Sequence, residues 1–248
     1  MEITSTNNEL IKTCAKLQQK KYRNESGKFL LEGYKAIKEA FDCGLELESV
    51  FVDKKHLNNY RFIKELIIET NSAVLKKISS TESAPPAVAV AKQKNYDIKV
   101  FKTLKKVVLL EGIKDLGNLG TIIRSAVAFG CEGIVLYGDC ADIYNPKCVR
   151  SAVGNLWKIP IAHIENFELL KDIFGDFSRI ATLPKSTNYL KNFSLKEPAL
   201  IMFGSEADGL SAELKSISTE SIKIEMNNNV ESLNLASAVS IIMYELFT

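Results

Sequence analysis

Residues 107–130 constrain the fold more than any other stretch of this 248-residue chain. They read VVLLEGIKDLGNLGTIIRSAVAFG, which is an aliphatic run, a turn with glycines, and then apolar residues at helical spacing. A continuous aliphatic run is typical of a strand buried on both faces of a parallel sheet. The glycine that follows the apolar segment, Gly130, predicts the end of a helix. Because another aliphatic run follows at 134–137, the sequence predicts a βαβ unit.

The turn of this unit lacks the fingerprint of a dinucleotide-binding loop. Gly112, Gly117 and Gly120 do not have the Gly-x-Gly-x-x-Gly spacing that brings the backbone close to a pyrophosphate. A nicotinamide-dependent oxidoreductase is therefore disfavoured.

The same turn holds two polar residues with functional potential, Asn118 and Arg124. If 117–120 forms the turn, Arg124 lies on the first or second turn of the helix, near the C-terminal edge of the sheet. Its neighbours are apolar or small, so it is not one charge among many on a solvated face. A local pairing with an acid such as Asp115 is the structural alternative.

Two later stretches repeat the pattern of a strand followed by a polar turn. In 199–211, ALIMFGSEADGLS, Glu206 lies between Gly204 and Gly209. In 222–246, an alternating segment at 222–226 predicts a strand, and Ser232 and Asn234 precede an apolar helix. Ordinary loop and helix-capping roles are the alternative for these polar residues.

Taken in order, the three stretches resemble the three motifs of the SpoU/TrmH family of RNA ribose 2′-O-methyltransferases, in the SPOUT superfamily. The second match is Gly-x-Glu-x-x-Gly-Leu and the third is the run Glu231-Ser232-Leu233-Asn234. The first match comprises Asn118, Gly120, Arg124, Ala126, Ala128, Phe129 and Gly130. The chain departs from the family at Glu225, usually proline, and at Asn228, usually glycine, both in the loop that binds the cofactor.

The resemblance implies an α/β fold with two domains. The C-terminal one is a parallel-sheet SPOUT domain with a trefoil knot, and a small α/β domain related to a ribosomal-protein fold precedes it. We predict an RNA substrate-binding domain at 1–94, a polar and basic linker at 95–106, and the methyltransferase domain at 107–248. In the first domain, the pattern predicts helices at 8–21, 34–43 and 62–70 and strands at 29–31, 50–52, 73–78 and 87–91.

The reaction that the resemblance implies is transfer of a methyl group from S-adenosylmethionine to a ribose 2′-hydroxyl, without a metal. The implied cofactor contacts are Leu183, Gly204, Ile224, Met226 and Leu233. The implied catalytic residues are Arg124, Asn118, Glu206, Ser232 and Asn234.

In the family the arginine is often proposed as the base. Because a guanidinium holds its proton firmly, a bidentate grip on the neighbouring RNA phosphate is physically easier. Asn118, Ser232 and Asn234 would orient Arg124 and the ribose.

Charge patterning indicates a polyanionic partner. The net charge is only +2, yet eight lysines and arginines between residues 12 and 38 face two acids, Glu25 and Glu32. A solvated helix face is the alternative. The candidate RNA contacts are Lys20, Lys21, Arg23, Lys147 and Arg150. Ribosomal RNA of the 23S type is the favoured substrate; transfer RNA, or a non-catalytic RNA-binding protein of the same fold, is the alternative.

Hydropathy, the cysteines and the family resemblance also predict the location, the redox state and the oligomeric state of the protein. No apolar run has membrane-spanning length and the first ten residues are polar, which predicts a cytoplasmic protein. The five cysteines form no Cys-x-x-Cys pair and the two histidines are far apart, which favours reduced packing cysteines over disulfides or zinc. The resemblance also implies a homodimer in which Arg124 of one subunit meets the cofactor of the other. The apolar C-terminal helix is the candidate interface, with internal core as the alternative.

Overall fold

The computed structural model describes residues 1–227, 229 and 232–248. The chain forms two compact units. The first comprises Met1–Lys94 and Asp142–Lys158, and the second comprises Asn95–Ala141 and Ile159–Thr248. The family departure at Asn228 and the motif residue Glu231 lie outside the described residues.

Two segments belong to units other than the domains that the sequence predicts for them. The predicted linker belongs to the second unit, because Phe101 is fully buried in that unit's core and Leu104 packs against it. The segment Asp142–Lys158 lies within the predicted methyltransferase domain but groups with the first unit. Composition alone predicts a linker at 95–106 because the short 3-10 segment Ile98–Thr103 buries Phe101 while polar residues surround it in sequence.

The first unit is built on a four-stranded mixed sheet. The strands are β1 (Lys28–Glu32), β2 (Leu47–Asp53), β3 (Ile67–Thr70) and β4 (Ala87–Lys92). In the sheet the order is β1-β4-β2-β3; β4 runs antiparallel to β1 and β2, and β3 runs parallel to β2. The helices of 1–94 are α1 (Glu9–Lys16), α2 (Lys20–Ser26), α3 (Tyr34–Asp42) and α4 (Ser72–Ile78).

Three predicted elements of this unit are wrong. The predicted helix at 8–21 is two helices, α1 and α2. The predicted helix at 62–70 is the end of a kinked 3-10 segment, Lys54–Leu66, followed by β3. The predicted strand at 73–78 is α4, because the Asn71 side chain accepts from the Val74 amide at 3.0 Å and caps a helix.

The second unit is a six-stranded sheet in which every pair is parallel, as the aliphatic runs predict. The strands are β5 (Lys106–Glu111), β6 (Gly133–Tyr137), β7 (Ile161–Ile164), β8 (Ser178–Thr182), β9 (Ala199–Phe203) and β10 (Glu220–Ile222). Their order in the sheet is β10-β8-β9-β5-β6-β7. The remaining helices are α5 (Leu116–Ala128), α6 (Pro146–Ser151), α7 (Phe167–Phe174), α8 (Ala212–Ile217) and α9 (Leu235–Phe247), of which α6 belongs to the first unit.

The helix α5 begins earlier than the glycines of the first motif suggest. Asp115 is its N-cap and accepts from the Asn118 amide at 2.7 Å, so Gly117 and Gly120 are helical. The turn is made instead at Gly112, whose φ is +63°. Arg124 therefore lies on the third turn of α5 rather than on the first or second. The predicted helix end is confirmed, since Gly130 has φ +75°.

The structure supports an α/β fold with a parallel sheet in the C-terminal unit. The trefoil knot stays a prediction. Among the described residues, the helices are too short or too polar to cross a membrane.

Candidate functional site

A cleft of about 650 Å³ lies at the carboxyl end of the parallel sheet in the second unit. Loops that follow β8, β9 and β10 form its walls, together with the start of α9. Because the strands are parallel, their carboxyl ends share one edge, where ligands commonly bind in open α/β sheets. The cleft contains all five residues predicted to contact the cofactor: Leu183, Gly204, Ile224, Met226 and Leu233.

The wall after β9 depends on the absence of a side chain at Gly204. A Cβ there would lie 1.9 Å from the carbonyl carbon of Gly209 and 2.1 Å from the amide nitrogen of Leu210. The loop is closed by the Gly209 amide, which donates to the Ser205 carbonyl at 3.0 Å, and Gly209 itself has φ +67°. The two motif glycines therefore permit a tight loop that carries Glu206 at the cleft.

Three of the predicted catalytic residues form one chain of hydrogen bonds. The Asn234 side-chain amide donates to the Asn118 side-chain oxygen at 3.0 Å, and the Asn118 amide donates to the Glu206 carboxylate. Asn234 also caps α9, its oxygen accepting from the Ser237 amide at 3.2 Å. The Ser237 amide can only donate and the Glu206 carboxylate accepts, so together they fix which way the side-chain amides of Asn234 and Asn118 are turned. This network joins the three motifs of the sequence.

Ser232 lines the same cleft as Glu206 and Asn234. Sequence alone left open whether Ser232 caps the last helix, and the structure assigns the cap to Asn234.

Arg124 is exposed, and it is not among the residues that line the cleft of its own chain. Within the described part of the chain it has no hydrogen-bond or ion-pair partner. The alternative in which Asp115 pairs with Arg124 is thus not observed; Asp115 is the N-cap of α5. An unpaired guanidinium on a surface helix is free to bind an anion from outside the chain.

The structure corrects the assignment of Arg23 as an RNA contact. Its side chain is 1% exposed. The guanidinium donates to the Asp142 carboxylate through two nitrogens, at 2.9 and 2.5 Å, and to the Leu17 carbonyl at 2.8 Å. Every one of these bonds lies inside the first unit, so the residue stabilises that unit and is not available to a phosphate.

The other candidate RNA contacts are exposed, but they differ in their partners. Lys20 and Lys21 lie at the start of α2, and Lys21 has a loose ion pair with Glu25 at 3.9 Å. On α6, Lys147 and Arg150 are both exposed, and Arg150 pairs with the buried Glu32 at 3.4 Å and donates to Ser80. Arg150 therefore also stabilises the first unit.

Sequence reasoning missed two lysines that line the cleft, Lys215 and Lys223. The Lys223 ammonium lies 4.5 Å from the centroid of the Tyr189 ring. The sequence places Lys223 inside a strand at 222–226, but β10 ends at Ile222 and the lysine begins the loop. The one sequence feature that could have pointed to Lys223 is its position directly after Ile222 in an alternating segment.

The cysteines are packing residues with one exception. Cys14, Cys131, Cys140 and Cys148 are buried and Cys43 is exposed; all five are free thiols. Burial raises the pKa of Cys14 to about 11 and the pKa of Cys131 to about 12. These buried thiols are poor nucleophiles at neutral pH, because the thiolate is disfavoured. The described residues hold no group of three or more potential metal ligands.

The sequence matches two family models in consecutive regions. Residues 105–244 match the SpoU rRNA methylase family, and residues 8–89 match an MRM3-like substrate binding domain. The first match covers more than half of the chain and includes every residue that lines the cleft.

Similar proteins extend over the full length. An uncharacterised tRNA/rRNA methyltransferase of Synechocystis sp. is 32% identical, with 98% of this chain and 92% of the relative covered. The 23S rRNA (uridine(2479)-2′-O)-methyltransferase of Streptomyces viridochromogenes is 28% identical, with coverages of 98% and 90%. The crystal structure of an AdoMet-bound rRNA methyltransferase from Sinorhizobium meliloti has a TM-score of 0.89 at 27% identity, covering 99% of this chain and 96% of its own. The resemblance seen in the three motifs is confirmed, and the chain belongs to the SpoU rRNA methylase family.

Proposed function

We propose that the protein transfers a methyl group from S-adenosylmethionine to a ribose 2′-hydroxyl of ribosomal RNA of the 23S type. The observation that carries the proposal is the cleft, where the five expected cofactor contacts meet Glu206, Ser232 and Asn234. The Streptomyces relative acts on the 2′-oxygen of a 23S rRNA nucleotide, and the Sinorhizobium structure contains AdoMet. Both support the substrate class and the cofactor.

The cleft fits such a cofactor in size and in chemistry. Its volume of about 650 Å³ lies within the range of roughly 300–1,000 Å³ found for cofactor sites. Leu183, Ile224, Met226 and Leu233 offer apolar contact to a purine and ribose, and the loop that begins at Gly204 forms another wall of the cleft. When bound, S-adenosylmethionine supplies an activated methyl group on a sulfonium. The protein then needs to align the ribose and help its hydroxyl lose a proton.

Arg124 is the residue best suited to assist the ribose hydroxyl. It is exposed and lacks a partner in the described structure, so it can hold an RNA phosphate through two N–H groups. A cation beside the ribose lowers the pKa of the 2′-hydroxyl without giving up its own proton. Asn118, locked between Glu206 and Asn234, holds the start of α5 against the cleft loops.

We further propose that the working protein is a homodimer. Arg124 does not line the cleft of its own chain, so a second copy is the natural source of the arginine for each cleft. On α9, Ile241 and Tyr244 are 41% and 59% exposed, which supplies apolar surface for such a contact. Light scattering of the purified protein checks this proposal; a monomer that methylates RNA contradicts it.

The reaction is tested with methyl-labelled S-adenosylmethionine and total RNA from a strain that lacks the gene. After digestion, mass spectrometry of nucleosides should show a 2′-O-methylnucleoside in the large ribosomal RNA. Label in transfer RNA would instead identify a tRNA methyltransferase. Failure to bind the cofactor, with RNA binding intact, would favour a non-catalytic RNA-binding protein. The RNA from the deletion strain serves as the matched substrate, since its target site is unmodified.

A further inference from the structure

Three aromatic side chains form a row on the first unit, which we call the aromatic face: Tyr34 and Phe41 of α3, and Phe62 of the 3-10 segment Lys54–Leu66. The Phe62 ring contacts both of the others, with ring centroids 6.1 Å from Tyr34 and 5.2 Å from Phe41. Tyr34 and Phe41 are seven residues apart, so they point to the same side of the helix.

The aromatic face is exposed although its rings are large. Tyr34 is 43% exposed and Phe41 is 42% exposed. Beneath them the fully buried Tyr60 packs against Tyr34, with ring centroids 5.5 Å apart. Phe62 and Tyr60 thus hold the two outer rings in place while leaving them accessible. Contiguous apolar surface of this kind marks an interaction site more often than a scattered single residue does.

The charges around the aromatic face favour an anionic occupant. The segment that carries Phe62 has four basic residues and one acid, Glu65. On α3, both acids already have cationic partners: Asp42 bonds to Lys38 at 2.5 Å and Glu39 pairs with Lys158 at 2.6 Å. On the same two segments, the exposed Lys35, Arg61 and Lys64 have no acidic partner among the described residues. The Lys38 ammonium lies 5.3 Å from the centroid of the Phe62 ring, which places a cation directly against the aromatic face. Aromatic rings bordered by cations suit a single-stranded nucleic acid, which offers both base faces and phosphates.

We propose that the aromatic face binds unpaired bases of the RNA substrate by stacking on Tyr34 and Phe41. Seven helical residues separate these rings by about 10 Å, so each ring takes a different base. A continuous duplex offers no free base faces, so the face selects a loop, a bulge or an end of the folded RNA. This inference rests on the proposed function for the identity of the RNA, but it concerns the recognition of that RNA and not the methyl transfer.

The test compares Tyr34→Ala and Phe41→Ala with Tyr34→Phe and Phe41→Trp, which keep a ring at each position. The probe is 23S rRNA purified from a strain that lacks the gene, and its binding is measured by filter retention without cofactor. Each alanine variant should bind about tenfold more weakly, the size of the loss expected for one stacked base. The ring-retaining variants should bind like wild type. Phe41→Leu, which keeps apolar volume without a ring, should lose affinity as the alanine variant does.

Kinetics separate this inference from the proposed function. In the methylation assay the alanine variants should raise KM for the RNA about tenfold and leave both kcat and the Kd for S-adenosylmethionine unchanged. If wild type methylates RNA and the alanine variants bind it equally well, the inference fails and the proposed function stands. If wild type binds RNA through these rings but methylates nothing, only the proposed function fails. A changed oligomeric mass with unchanged RNA affinity would assign the face to contact between copies and overturn the inference.

Discussion

Arg23 and Arg124 show how differently the two units use the same side chain. Arg23 is 1% exposed and its guanidinium is bonded to Asp142 and to a carbonyl within the first unit. Arg124 is exposed on α5 of the second unit and has no partner in the part of the chain that the structure describes. A buried charge must be paired because desolvation is costly, whereas an exposed one is free to act on a ligand. The first arginine therefore stabilises the fold and the second is available for chemistry.

The largest expected effect comes from Asp142→Ala, which leaves the Arg23 charge buried without its carboxylate. Removing one partner of a buried ion pair costs about 3–5 kcal/mol. Thermal and urea unfolding of the variant should show this loss of stability.

The control for this prediction replaces both partners by apolar residues, Arg23→Met with Asp142→Leu. Replacing a buried pair with hydrophobic side chains is often neutral, so the double variant should be more stable than Asp142→Ala. Recovery should be partial, because the Leu17 carbonyl and the Tyr144 amide lose the hydrogen bonds that Arg23 and Asp142 supply. If Asp142→Ala unfolds like wild type, Arg23 is not the buried structural cation that we describe, and the contrast with Arg124 disappears.

The next effect is on activity alone. Arg124→Ala should lower kcat for RNA methylation by about 10²–10³-fold, the usual loss when one charged group that stabilises a reaction is removed. Its melting temperature should match wild type because the residue is exposed, and its affinity for S-adenosylmethionine should match wild type because we assign the guanidinium to an RNA phosphate and not to the cofactor. Arg124→Lys tests the bidentate contact: a lysine keeps the charge but not the planar fork, so activity should stay well below wild type. Turnover near wild type in the alanine variant would remove Arg124 from the mechanism.

A smaller effect is expected at Asn118, which links α5 to the loops of the cleft. Asn118→Ala breaks two hydrogen bonds of a partly exposed network, and a net loss of about 1–1.5 kcal/mol corresponds to roughly tenfold lower kcat/KM. Asn118→Asp should be worse, because a second carboxylate would face Glu206. The measurement is kcat/KM at saturating cofactor for the two variants. Equal activity of alanine and aspartate variants would argue against the contact with Glu206.

The sequence predicts the second unit better than the first, for physical reasons. The strands β5 and β9 are buried on both faces, so their composition is aliphatic throughout and easy to recognise. The motif glycines are equally easy to recognise in the sequence, and the structure gives the reason for one of them: there is no space for a Cβ at Gly204. Together with the family motifs, these two features are sufficient to locate the cleft and its expected cofactor contacts.

In the first unit, local patterns are ambiguous and tertiary packing decides. The run 73–78 is short and apolar, so its pattern fits a strand or a helix, and in the structure it is a helix capped by Asn71 with Val74, Leu75 and Ile78 buried. Arg23 lies in a lysine-rich stretch that predicts an exposed contact with RNA, yet its acid partner is 119 residues away in the chain. Such long-range pairing has no local signature. The aromatic face is hidden for the same reason, because Phe62 comes from a segment far from α3 in sequence.

The smallest effect should come from the ion pair between Lys191 and Glu225, where the family usually has proline. Its side chains are 59% and 55% exposed, so solvent screens the attraction, unlike that between Arg23 and Asp142. Exposed pairs contribute about 0.2–1 kcal/mol, and Glu225→Gln should reduce the free energy of unfolding by no more than that. Because Glu225 lies between Ile224 and Met226, which line the cleft, the same variant should be tested by titration with S-adenosylmethionine. We expect less than a fivefold change in Kd that shrinks further in high salt. A loss of affinity that persists in high salt would mean that Glu225 positions the cofactor loop by contacts other than electrostatic attraction. Exposure alone would then not separate structural from functional ion pairs in this protein.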